Sequence, residues 1–214
     1  MKSKKLLSII LALAMMFSVL PASTILVYAD EITETISADT TWNDGDTVGG
    51  VTISGGTVTI NGDVGITAAI TIKGDVTFTG GGTLNRMSTS GNLIKVESGS
   101  LTLGNVTIDG NNVKAQGDGT ATAIYITGGT VIMNDGAKIT NHKRTSGYGP
   151  AVYMAGGNFK MKGGTISGCE SRNYGGAIYL DGGSFEMNGG SIENNKTTLS
   201  IAGYGGGAFY VREA

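Results

Sequence analysis

Between residues 93 and 211 one phrase of sequence is written five times. Its fullest copy is Gly175-Gly-Ala-Ile-Tyr-Leu-Asp-Gly-Gly-Ser-Phe-Glu-Met-Asn-Gly-Gly-Ser-Ile-Glu-Asn-Asn195. It recurs as Gly149-Pro-Ala-Val-Tyr-Met-Ala-Gly-Gly-Asn-Phe-Lys-Met-Lys-Gly-Gly-Thr-Ile-Ser167, more loosely from Ala123 and Leu93, and a fifth copy opens at Gly205. Aligned on Ile94, Ile124, Val152, Ile178 and Phe209, the copies are 30, 28, 26 and 31 residues apart. A fixed period of this length marks a repeat architecture, in which each unit buries its apolar face only against its neighbours.

Inside each copy the apolar residues alternate. Ile178 and Leu180 share one side and Tyr179 the other; Phe185 and Met187 flank Glu186. Period two is the signature of a half-buried strand. Runs of three to five such residues are separated by Gly-Gly or Asp-Gly-Gly, residues that turn the backbone at φ > 0. No segment carries the helical periodicity that a βαβ unit or a leucine-rich repeat requires. The expected fold is therefore all-β, a right-handed parallel β-helix with coils of roughly 20–31 residues, truncated at its C-terminus within the fifth copy. Four inward ladders follow: Ile94-Ile124-Val152-Ile178-Phe209, Leu101-Val131-Phe159-Phe185, Leu103-Met133-Met161-Met187 and Ile108-Ile139-Ile166-Ile192.

The chain divides into three parts. Residues 1–29 read as a signal peptide: Lys2, Lys4 and Lys5, an apolar stretch from Leu6 to Leu20, and Val27-Tyr28-Ala29 before a cleavage site. Removing it leaves 12 of the 15 basic residues against all 17 acidic ones, a net charge of −5, which argues against nucleic acid or an anionic membrane as partner. After cleavage no stretch is long and apolar enough to span a bilayer. Residues 30–50 read as an N-terminal cap in which Ile32 to Ile36 covers a strand edge and Trp42, the sole Trp, plugs the end of the core. Residues 51–214 are the β-helix coils. The early ones are tight, with Val51-Thr-Ile53, Val58-Thr-Ile60, Ile70-Thr-Ile72 and Val76-Thr-Phe78, and from Leu93 onward each gains a corner loop (111–122, 141–150, 169–176, 195–207).

At Thr35-Ile-Ser-Ala-Asp-Thr-Thr-Trp42, Val51-Thr-Ile53 and Val58-Thr-Ile-Asn-Gly-Asp63 the chain resembles the repetitive right-handed β-helix surface proteins of Gram-positive bacteria, with a pectate-lyase-like fold. Its Gly-Gly-Ala-Ile-Tyr and Ser-Ile-Glu-Asn-Asn pair is also similar to the repeats of polymorphic outer-membrane autotransporters. The likeness covers nearly all of 30–211. It implies a secreted or wall-associated protein, a stalk or adhesive surface, with an extracellular glycan or a cell-surface protein as partner. Such coils also carry polysaccharide lyases and hydrolases, so a carbohydrate-active enzyme is the alternative. The Asp-Asp, Asn-Thr-Asp, Gly-His-Gly and Arg-Ile-Lys motifs of the polygalacturonase-like enzymes are missing.

Little else in the sequence points to chemistry. His142-Lys143-Arg144 and Arg172 fall in corner loops, with Asp109, Asp118, Glu170 and Glu193 on nearby corners, and read as a solvated rim. Asp44-Gly-Asp46 and Asp109-Gly-Asn-Asn112 read as turns before calcium sites, so neither metal nor cofactor is expected. Cys169 aligns with Asn111, His142 and Asn195 and reads as a corner residue. The outward feature above background is Tyr125, Tyr153, Tyr179 and Tyr210, one per coil at one position. They are the candidate ligand-binding residues, a column that either stacks only on itself or offers sugar rings or a partner protein a platform.

Overall fold

The computed structural model describes residues 35–115, 121–198 and 206–212. The segment read as a signal peptide, Ile32 and Asp118 lie outside them. Every described element is a strand, and every strand pairing is parallel. Among the described residues there is no helix long and apolar enough to cross a membrane.

Each repeat gives one segment to each of three faces, and each segment pairs with its counterpart one repeat on. On the first face Ile36, Ile53, Ile72, Val96, Ile126, Met154, Leu180 and Val211 follow one another in register. On the second face Val58, Phe78, Leu103, Met133, Met161 and Met187 do so. On the third the row is Val64, Leu84, Ile108, Ile139, Ile166 and Ile192. All four ladders read from the sequence are observed registers, and most of their members are fully buried. Stacking like on like gives each buried side chain partners above and below, and full burial of one such side chain stabilises by about 1.5–3 kcal/mol.

First and second faces merge into one eleven-stranded sheet, because four ten-residue strands run around the corner between them: Thr52–Asn61, Ile70–Thr79, Val152–Met161 and Ile178–Met187. In the two repeats between, the corner interrupts the strand, giving Ile94–Val96 with Ser100–Leu103, and Ile124–Ile126 with Thr130–Met133. Six strands thus close into a ring of parallel pairings. The third face is a seven-stranded sheet.

One feature was not legible beforehand. The corner loops expected at 111–122, 141–150, 169–176 and 195–207 open with a fourth sheet of two-residue strands, Lys114–Ala115, Lys143–Arg144, Glu170–Ser171 and Lys196–Thr197. Its register sets Val113, not Asn111, beside His142, because Asn111 and Asn112 are both spent on a turn at φ 50 and 52. Residues 35–48 place short strands on all three faces, and Trp42 points inward, 5% exposed, with its ring edge-on to Phe78 at 5.9 Å.

Candidate functional site

The outward position of the first face can be followed through eight repeats. It holds Thr35, Thr52, Thr71 and Lys95, and then Tyr125, Tyr153, Tyr179 and Tyr210. The structure brings all four candidate tyrosines into direct contact. Tyr125 meets Tyr153 edge-on at 5.4 Å; Tyr153 and Tyr179 stack at 5.2 Å, and Tyr179 and Tyr210 at 5.5 Å with planes 6° apart. In-register parallel pairing enforces this, since neighbouring strands lie ~4.8 Å apart and like residues must face each other.

Two further tyrosines join the column from the loops, and sequence reasoning missed both. Tyr148 stacks on Tyr179 at 4.7 Å and 20°, and Tyr174 lies 4.4 Å from Tyr210 and 5.4 Å from Tyr148. Each loop tyrosine therefore covers the column residue one repeat further on. The signal was present as Tyr148-Gly149, Tyr174-Gly175 and Tyr204-Gly205, a Tyr-Gly step ahead of each late copy; Tyr204 lies outside the described residues. The result is a cluster of six rings, with Tyr179 at its centre only 6% exposed. Its ring faces are taken up by Tyr153, Tyr210 and Tyr148, so it is no bare platform.

Polar groups border the cluster. The Tyr153 hydroxyl donates to Asp181 Oδ2 at 2.8 Å, and Arg212 holds Asp181 Oδ1 at 2.9 Å. Burial, and then this hydrogen bond to a carboxylate, push the Tyr153 phenol well above its ordinary range; burial also raises Tyr179. Both phenols stay protonated, able to donate outward or to Asp181. At the other end Lys95 and Lys73 both pair with Glu97, at 2.6 and 3.4 Å.

Behind the loops the coil interior turns polar. Ser171 Oγ donates to the Tyr174 carbonyl at 3.2 Å, and Arg144 Nη1 donates to the Tyr148 carbonyl. Thr122 donates to the carbonyls of Gly149 and Pro150 at 2.7 and 3.1 Å. Arg86 occupies the inward position that Val48 and Ile66 hold in earlier repeats. It is 1% exposed and gives hydrogen bonds to the carbonyls of Ser88, Gly91 and Thr122, while burial lowers its pKa to about 10. A buried donor must find an acceptor, and here the acceptors are carbonyls of the loops and corners, three of which (Thr122, Pro150 and Tyr174) also accept a backbone amide from the neighbouring repeat. These side chains set where the loop tyrosines sit.

The residues read as a solvated rim divide. Arg172 is exposed, and Lys143 and Glu170 are half-buried on the outside of the fourth sheet, but His142 and Arg144 are buried. His142 Nε2 donates to the Ile108 carbonyl at 3.3 Å and Nδ1 has no partner. Burial, with the Arg86 charge nearby, depresses its pKa to about 3, so it is neutral. Cys169, in the next repeat, is 1% exposed with its thiol pushed up to about 12 by burial. A protonated buried thiol beside a neutral imidazole is a packing pair, without thiolate chemistry. Asn195 takes the same place one repeat later, where its side chain accepts from the Cys169 amide and donates to the Ile166 carbonyl, both at 2.9 Å. Among the described residues no three His, Cys, Asp or Glu are grouped to hold a metal ion. Compared with known protein families, curated proteins and solved structures, the chain matches none.

Proposed function

We propose that this chain is a right-handed parallel β-helix, exported and displayed at a bacterial cell surface, where the early repeats act as a stalk and the late ones as an adhesive binding surface. Uniform parallel pairing with the next repeat supports the solenoid, and crossovers between parallel strands are right-handed in nearly every protein. The basic and apolar start of the sequence supports export.

One observation carries the binding role. The outward column changes from threonine to tyrosine where the corner loops begin, and two loop tyrosines are folded onto it by buried polar side chains. A stalk needs neither the loops nor the rings. Four tyrosines on a rigid sheet and two from its loops form a large amphipathic surface that loses little side-chain entropy on contact. The experiment is adhesion of beads coated with the full chain to cultured epithelial cells. Adhesion should be strong and should fall when Tyr148 and Tyr174 are both replaced by Ala. Beads that never adhere, or that adhere equally with the double variant, overturn the role.

A further inference from the structure

Granting the binding role just proposed, we infer that the partner is a folded protein with an acidic surface, gripped by the 143–148 and 170–174 loops, and not a glycan. Three observations point there.

The ring faces are used up first. Tyr153, Tyr179 and Tyr210 lie face to face at 27° and 6°, and Tyr148 lies over Tyr179 at 20°. A pyranose ring recognised by aromatic stacking needs an open ring face, and the central ring, Tyr179, has its faces covered by its neighbours and is only 6% exposed. Edges and hydroxyls suit the mixed polar and apolar surface of a protein.

The loops also have the composition of a protein-binding site. Thr145-Ser-Gly-Tyr148 and Ser171-Arg-Asn-Tyr174 consist of Tyr, Ser, Gly, Asn, Thr and Arg. Tyr and Arg anchor protein interfaces, while Ser, Gly and Asn supply adaptable hydrogen bonds. Each loop stands on a rigid base, its tyrosine carbonyl held from beneath by Arg144 or Ser171.

The charge is the third. On the fourth sheet the outward residues Lys143, Glu170 and Lys196 stand in one register, with Arg172 exposed two residues beyond Glu170. Lys196 neutralises Glu170 at 3.3 Å, and among the described residues neither Lys143 nor Arg172 forms an ion pair. Two uncompensated cations thus border the tyrosines of a chain whose overall charge is negative. Such a local reversal steers an acidic partner to this face and away from the rest of the surface.

The test sets two arrays side by side: purified extracellular proteins stripped enzymatically of their glycans, and isolated glycans. The full chain should bind acidic members of the protein array, less tightly as salt rises. Arg172→Glu with Lys143→Gln should weaken that binding roughly tenfold or more. Tyr148→Ala with Tyr174→Ala should weaken it at least as much, and Thr77→Glu on the second face should leave it unchanged. Arg172 is exposed, so the charge variant reports on binding even if the tyrosine variant melts. Binding confined to the glycan array overturns the inference and leaves the binding role standing. Protein binding indifferent to Arg172 and Lys143 also overturns it. Binding to neither array overturns both proposals.

Discussion

The repeats before residue 110 and those after 120 share an interior and differ in almost everything else. In the early region Ile36, Ile53, Ile72 and Val96 are 17, 19 and 24 residues apart, and outward positions hold Thr52, Thr57, Thr59, Thr71, Thr77, Thr83 and Thr107 on all three faces. Threonine spread evenly over every face is strand propensity, not a site. In the late region Val96, Ile126, Met154, Leu180 and Val211 are 30, 28, 26 and 31 residues apart, a fourth sheet appears, and tyrosine concentrates on one face. Insertion at one corner leaves the inward ladders unbroken. A repeat fold can therefore change its surface locally without renegotiating its core.

The largest effects should come from corners that press on the preceding repeat, which both regions have, set against an open corner in the first repeat. Gly164 has φ +80, and a Cβ there would lie 2.5 Å from the Ala137 carbonyl oxygen of the preceding repeat. Gly45, in the early region, has φ +83 with nothing within 4 Å. Gly164→Val combines a β-branched residue in the left-handed region with a backbone collision and should cost about 4 kcal/mol or more. Gly45→Val meets only the backbone strain and should cost about 1–2 kcal/mol. Chemical denaturation of both variants measures the gap; equal losses would mean the Gly164 corner is looser than the geometry says. Gly190, at φ +82, is equally tight: a Cβ there would lie 2.5 Å from the Gly164 carbonyl oxygen.

Next comes the outward column itself. Tyr179 is enclosed by three other rings, so Tyr179→Ala should lose about 2–3 kcal/mol. Thr71, at the matching position of the early region, is half-exposed, and Thr71→Ala should fall within about 0.5 kcal/mol of wild type. Thermal melts that move by the same amount would dissolve the distinction between a clustered and a merely regular surface.

Smallest, and specific to the late region, is an acid response. The sole histidine of the chain, His142, has a folded pKa near 3 against an ordinary 6.5. Below 6.5 the unfolded chain takes up a proton that the folded chain refuses, so stability is full above that pH and declines as pH falls toward 3. The groups that face it are Arg86, whose charge opposes protonation, and the Ile108 carbonyl, which favours it, with Cys169 alongside. Stability should drop by about 1–2 kcal/mol from pH 7 to pH 5, and His142→Gln should remove most of that slope. An unchanged slope in the variant would assign the response elsewhere.

How much of this could be read from the residues alone follows from the same contrast. Ile124, Val131 and Ile139 announce themselves because alternation repeats at a fixed period, and their ladders were legible to the residue. The strands Lys143–Arg144 and Glu170–Ser171 are two residues long, too short to alternate, so they looked like loop. Arg86, His142 and Arg144 were opaque for a different reason. A charged or titratable residue reads as solvent-facing unless its buried acceptors are known, and those acceptors are carbonyls from other repeats or from the loops. Tyr148 and Tyr174 stood in plain view ahead of their glycines. What hid them is that each packs on the following repeat, a one-step offset that alignment within a repeat does not show.

One framework runs in register beneath both regions, whatever the corners carry. Two engineered cysteine pairs test it: Thr71→Cys with Lys95→Cys in the early region, and Thr140→Cys with Ser167→Cys across the 141–164 excursion. Each pair joins outward residues opposite one another in parallel strands, ~4.8 Å apart and inside the span a disulfide bridges. Buried Cys169 provides an internal thiol that should stay unmodified. Under mild oxidation both pairs should close within the monomer at comparable rates, as seen by mass spectrometry of proteolytic fragments. Closure of the first pair alone, with the two thiols of the second left free or linked between molecules, would contradict the account.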